Sequence, residues 1–118
     1  SVFVPSLKCR IGVTILQKGA EDHISNGEFC YANCSEGSLR RCGGQGDVVA
    51  GVMGVMNLWC SRAKDLEIDP LCCACAFTSS IGREASRRAF EKERRGMTAL
   101  SVASELSSLI DENELRFC

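Results

Sequence analysis

At 118 residues the chain has room for one small domain and no more. Hydrophobic residues make up 45% and charged residues 25%, an ordinary globular composition, and a formal net charge of −1 argues against a surface given over wholly to nucleic acid. No apolar run reaches the roughly 18 residues that a membrane span needs, and the opening SVFVPSLKCR lacks the basic start and apolar core of a secretory signal.

VTILQ, residues 13–17, is a short β-rich run and reads as a strand, with KGAED behind it as a polar loop. DHISNGEFCYANC reads as a hairpin around Asn26-Gly27, a pair suited to a turn in which both positions need positive φ. Next comes RRCGGQGD, residues 40–47, with three glycines in four positions and an acid directly after. Residues 48–59 lack a polar face and predict a helix buried on most sides. Gly51 and Gly54 share one face of it, where the missing side chains would let another backbone come close.

The chain turns polar around 61–67. Asp69-Pro70 then marks a helix start, with the acid as cap and proline at the first position. A long helix is predicted over 71–92, apolar first and basic later. Arg87, Arg88, Lys92, Arg94 and Arg95 near its end read as a solvated terminus rather than a nucleic-acid patch. Gly96 should break the helix. A last amphipathic helix is predicted over 99–110, with Val102, Leu106, Leu109 and Ile110 apolar. Strand, hairpin, glycine loop and three helices make an α/β chain with too little sheet for its helices, so it reads as one half of something larger.

Nine cysteines are many for this length, and an odd number cannot all pair internally. Cys72, Cys73 and Cys75 sit in LCCACAF, an apolar run where cysteine behaves as a small hydrophobe. Cys30 and Cys34 form C-x3-C without a second pair at a zinc-like spacing, and His23 is the sole histidine. The expectation is reduced structural thiols in a reducing compartment, with metal binding and disulfides as the alternatives.

The glycine loop carries the chemistry. Glycines ahead of a helix let backbone N–H groups turn toward an anion, and the helix N-terminus adds partial positive charge. Asp47 at that place would repel phosphate on its own. It makes sense as a base that takes a proton from a hydroxyl beside a phosphoryl group being transferred. The plainer reading is equally open: Asp47 caps the helix and the glycines form a turn. Neither a Walker loop nor a G-x-G-x-x-G fingerprint is present. Lys18 and Gly19 stand where the first strand ends, the place where ligands gather in open α/β sheets. An exposed strand-end lysine is the plainer alternative.

VTILQKGAEDHISNGE followed by EGSLRRCGGQGDVVAGVMGVM resembles the ATP-dependent NAD(P)H-hydrate dehydratases, whose fold is ribokinase-like. The resemblance runs from about residue 12 to about 109 and is strongest over 13–55. S-x-R-R-C before G-G-Q-G-D is its most specific element, since generic ribokinase relatives usually carry only a G-x-G-D core. The resemblance implies the C-terminal half of a ribokinase-like three-layer sandwich, spanning 12–118 after a divergent 1–11. It places a first nucleotide segment on Lys18, Gly19, Ala20, Glu21 and Asp22. A second falls on Gly37, Ser38, Leu39, Arg40, Arg41, Cys42, Gly43, Gly44, Gln45 and Gly46. The acid that contacts substrate and acts as base falls on Asp47. It further implies ATP, with Mg2+ carried by the nucleotide and no protein side chain as metal ligand. The substrates would be NADHX and NADPHX, hydrated forms of the reduced nicotinamide cofactors, repaired to NADH and NADPH. No nucleic-acid or membrane partner is expected, and a homo-oligomer is left open. The expected location is cytoplasmic, with a mitochondrial one open for a full-length form. Departures are GMTALSVASEL near the end, where Ser101 stands in for a common acid, and a family domain more than twice this long. Two other readings stay open: a ribokinase-like small-molecule kinase, and a non-catalytic truncated form that binds a partner.

Overall fold

The computed structural model describes residues 12–117, with side chains described as far as residue 113. Residues 1–11, expected to be a divergent segment, lie outside the described residues. Strands β1 (Ile15–Gln17), β2 (Asp22–Ser25) and β3 (Cys30–Asn33) form an antiparallel sheet in that order. Its register pairs Leu16 with Ile24 and Ile24 with Tyr31. Helices α1 (Gln45–Arg62), α2 (Pro70–Glu93) and α3 (Ala99–Phe117) come next, with a 3-10 turn at Arg94–Gly96 between the last two. This is the order of elements read from the sequence, in a small α/β domain.

The hairpin forms, but its turn centres one residue later than Asn26-Gly27. The Asn26 amide donates to the Phe29 carbonyl at 3.2 Å, so Gly27 and Glu28 are the central pair. Only Gly27 has positive φ, at 92°. Asn26 serves with its side chain instead: Oδ1 accepts from the amides of Glu28 and Phe29 at 3.0 and 2.7 Å. The sheet is antiparallel throughout, so Lys18 lies in a tight β1–β2 connection, not at the carboxyl edge of a parallel sheet.

α2 is the organising element, with the sheet, α1 and α3 all packed on it. Most of its buried positions are correspondingly small: Cys72, Cys73, Ala74, Cys75, Ser79, Gly82, Ala85, Ser86 and Ala89, with Thr78 and Ile81 as the larger ones. A Cβ on Gly82 would meet Val49 Cγ2 at 3.4 Å, so α1 packs directly against α2 there. Asp69 caps α2 as expected, Oδ2 accepting from the Cys72 amide at 3.2 Å, with Pro70 at the first turn. Burial pushes the Cys72 thiol up to about 12 and Cys75 to about 11, with Asp69 adding to both, so these thiols are protonated apolar groups at neutral pH. Among the described residues the cysteines are free thiols.

Three expectations about the helices change. α1 is not buried on most sides: it buries one stripe, Val52, Met56 and Cys60 at i, i+4 and i+8, while Val55 and Leu58 stay exposed. Gly51 and Gly54 lie off that stripe, and a Cβ on either would meet nothing within 4 Å. α2 ends at Glu93, close to the expected 92, but the break falls on its C-cap Arg94, at φ 52°, rather than on Gly96. The apolar pattern of α3 holds, with Val102 and Leu109 buried and Leu106 packed against the core, although the helix runs on to Phe117. The basic end of α2 is tied to acids. Arg87 and Arg88 share Glu84, Arg88 also reaches Glu112 on α3 at 2.8 Å, and Lys92 reaches Glu105 at 2.6 Å. Arg87 and Arg88 hold the Glu84 carboxyl down to about 2 against a smaller opposing effect of burial. Among the described residues no helix is long and apolar enough to cross a membrane.

Candidate functional site

A cleft of about 830 Å³ opens between the β1–β2 connection and the irregular stretch that leads from β3 to α1. That stretch, 34–44, contains neither helix nor strand. Lys18, Gly19 and Ala20 form one border. Gly37, Ser38, Leu39, Arg40, Arg41, Cys42, Gln45 and Gly46 form the other. The two segments singled out in the sequence, nearly twenty residues apart, thus share one cavity. Cys34, Ser35, Glu36, Val49, Gly82, Arg83 and Ser86 complete the lining. Glu21, Asp22, Gly43, Gly44 and Asp47 do not line it.

The glycine loop is built to leave donors free. Gly44 is the N-cap of α1, at φ 84° and ψ −6°, with no side-chain cap bond. The Gln45 amide donates to Cys42 O at 3.3 Å, and those of Asp47 and Val48 to Gly44 O at 3.1 and 3.2 Å. The amides of Gly43, Gly44 and Gly46 make no hydrogen bond among the described residues. An anion is the natural partner for such donors at a helix start. Gln45 anchors the loop from behind: its Nε2 donates to Ser86 Oγ on α2, and its Oε1 accepts from the Cys42 amide at 3.4 Å. Asp47 therefore sits in the first turn of α1 rather than capping it. Its carboxylate is exposed and has no partner among the described residues.

Position 44 tolerates little else. An added Cβ would lie 3.2 Å from Ala99 Cβ, on a backbone that L-residues rarely adopt. Gly44→Ala is expected to cost about 2 kcal/mol, from the left-handed conformation. Chemical denaturation of the two proteins measures it, and equal midpoints would show that the loop shifts freely.

Beneath the first segment lies a buried charge centre that the sequence did not disclose. Asp22 is fully buried. Its Oδ1 accepts from the Gly19 amide at 3.1 Å and from Arg83 Nη1 at 3.2 Å; its Oδ2 accepts from Ser79 Oγ at 2.6 Å and from Lys18. Burial works to raise the Asp22 pKa, but the bonds from Lys18, Ser79 and Gly19 outweigh it and hold the carboxyl below its usual value. Asn33 extends the network, donating to Ser79 Oγ at 2.9 Å while its Oδ1 accepts from the Ser35 amide at 3.0 Å. Lys18 is thus an ion-paired lysine with its side chain 39% exposed. Arg40 is likewise engaged, reaching the Arg95 carbonyl. Partial loss of solvent and the neighbouring Glu21 raise the thiol of the exposed Cys34. Among the described residues no three His, Cys, Asp or Glu side chains gather to hold a metal ion.

Arg83 is the main residue missed. One signal pointed to it: it is the first charge in α2 after an uncharged run from Pro70 to Gly82. A charge placed there faces whatever packs on the helix.

A family model described as NAD(P)H-hydrate dehydratase matches residues 3–108. The ATP-dependent (S)-NAD(P)H-hydrate dehydratase of Entamoeba histolytica is 38% identical over 101 residues, covering 86% of this chain and 34% of the relative. The protein of that name from Mus musculus is 40% identical over 99 residues, covering 81% of this chain and 29% of the relative. The one from Arabidopsis thaliana is 37% identical over 105 residues, with 86% and 29% covered. The chain spans about a third of the length of these curated relatives.

Proposed function

The chain belongs to the NAD(P)H-hydrate dehydratase family, and from that premise we propose that it serves the ATP-dependent dehydration of (S)-NADHX and (S)-NADPHX to NADH and NADPH, giving ADP and phosphate. The observation that carries this reading is the convergence of the 18–20 connection and the glycine loop on one cleft, with unbonded amides at the start of α1. The cleft's volume of about 830 Å³ lies in the range of small-molecule sites.

In this reading the amides around Gly43, Gly44 and Gly46 take the transferred phosphate, and the positive end of α1 stabilises charge as it develops there. Lys18, Gly19 and Ala20 border the nucleotide from the opposite side, with Glu21 alongside. Asp22 acts from below by fixing Lys18 and Gly19. Gly37, Ser38, Leu39, Arg41, Cys42 and Gln45 complete the nucleotide wall. Asp47 takes the proton from the hydroxyl of the hydrate as that oxygen attacks the γ-phosphorus. ADP departs as that bond forms; phosphate then leaves with the hydrate's oxygen, pushed out by the lone pair of the ring nitrogen, and loss of a proton from the neighbouring ring carbon to water restores the double bond of the dihydropyridine. Mg2+ would arrive on the ATP phosphates and neutralise their charge. The protein would work in the cytoplasm, or in mitochondria for a longer form, without a nucleic-acid or membrane partner; a homo-oligomer is compatible with this arrangement.

The test is to incubate the protein with ATP and (S)-NADHX and follow NADH by its absorbance and ADP by chromatography. NADH and ADP appearing in equal amounts is the expected result. A phosphorylated product without NADH would mark a small-molecule kinase instead. Neither product, from a chain that melts cooperatively, would mark a non-catalytic form.

A further inference from the structure

We infer that Arg83 is a positioning residue, a latch that fixes the distance between the two borders of the nucleotide cleft. The inference rests on the nucleotide reading of that cleft. Both borders are irregular backbone: the β2–β3 ladder ties their roots together at the Asp22–Asn33 pair, but among the described residues no strand pairing or helical ladder spans the borders themselves beyond it. Beyond that pair, side chains must hold their spacing.

Arg83 reaches both at once. Its Nη2 donates to the Ala20 carbonyl at 2.6 Å, and its Nη1 to the Gly19 carbonyl at 3.3 Å. Its Nε donates to the Ser35 carbonyl at 2.6 Å. The guanidinium is held in turn by Asp22 Oδ1 at 3.2 Å, and the side chain is only 12% exposed. The stem packs under the second border as well, since a Cβ on Gly37 would sit 3.7 Å from Arg83 Cβ and Cζ. The acceptors on the borders are main-chain carbonyls, so the latch grips the two segments whatever side chains they carry. A planar fork with five donors can bridge them; a lysine ammonium, a compact point charge on a flexible stem, cannot meet Ser35 and Ala20 together.

Two measurements on the whole chain test this. The first is amide hydrogen exchange without nucleotide, comparing the wild type with Arg83→Met, which keeps most of the stem. Exchange at Gly19 and Ser35 is expected to quicken together by about tenfold, the scale of one lost hydrogen bond, while the α1 core around Val52 and Met56 is unchanged. Unchanged exchange at either amide, or a uniform rise that includes α1, overturns the inference. The second is binding of a fluorescent ATP analogue. Arg83→Met and Arg83→Lys are each expected to weaken it by about tenfold. Full binding by Arg83→Lys would show that charge alone matters and would also overturn it. A wild type that binds no nucleotide defeats the nucleotide reading instead, and the exchange experiment still decides the latch. Should Arg83→Met fail to fold, Arg83→Lys is carried through both measurements.

Discussion

Asp47→Asn is expected to lower turnover of (S)-NADHX by about 10²- to 10⁴-fold, the usual share of a general base, while ATP affinity stays unchanged. The expectation comes from how Asp47 is placed. It is exposed in the first turn of α1, it has no partner among the described residues, and it stands directly after Gly46, which lines the cleft. A purely structural role has a different signature. A carboxylate in the first turn interacts favourably with the helix dipole, worth about 0.3–1 kcal/mol at an exposed site. Asparagine would then lower the melting temperature slightly and leave the rate alone. Rate and melting temperature measured on the same preparations separate the two. A chimera in which residues 3–108 replace the matching third of the mouse relative extends the test to a complete family domain. Near wild-type turnover by Asp47→Asn in that chimera would remove Asp47 from the role of base.

What could be read from the sequence was whatever is decided within a few residues. The start of α2 is set by Asp69 and Pro70 alone, and it came out where they put it. The glycine loop and Lys18 were visible because their chemistry is local: residues without Cβ before a helix, and a cation just after a strand. The turn after β2 was found but misplaced by one position, because Asn26 closes it through its side chain rather than by adopting positive φ. The exposed face of α1 was misread for a different reason. An apolar run announces that a helix can be buried, not which of its faces meets a neighbour, and among the described residues α1 meets α2 and α3 on one side. The charge of Arg83 stood out after the uncharged start of α2, but what it grips was beyond reach, since its partners lie 48 to 64 positions away in the chain. Asp22 was expected only as the last residue of the first nucleotide segment, facing the ligand. Its complete burial depends on Ser79 and Arg83 coming from α2, which no local pattern encodes.

That burial makes Asp22 the residue whose loss should cost the fold most. Asp22→Ala would leave Arg83 with its charge uncompensated in a nearly closed site and would release Lys18, which is closer to solvent. Breaking a buried pair by removing one partner costs about 3 kcal/mol or more, well above the loss of a single neutral hydrogen bond. Urea unfolding measures this directly, and a loss below about 1 kcal/mol, the range of surface ion pairs, would show that the centre is effectively solvated. The pH dependence gives an independent check. The folded-state pKa of Asp22 lies below the ordinary value of 3.8, so its contribution is fully present above that value and disappears as the pH falls through the depressed folded one. Asp22→Asn cannot ionise and lacks this contribution at every pH. The stability gap between wild type and Asp22→Asn should therefore be constant near neutrality and narrow as the pH drops below 3.8. Glu84, held down to about 2, loses its own contribution over much the same window, but it does so in both proteins and cancels in the difference. A gap that stays constant to the acid limit would mean that Asp22 is not held as a carboxylate. Lys18 and Arg83 would then owe their positions to packing rather than to its charge.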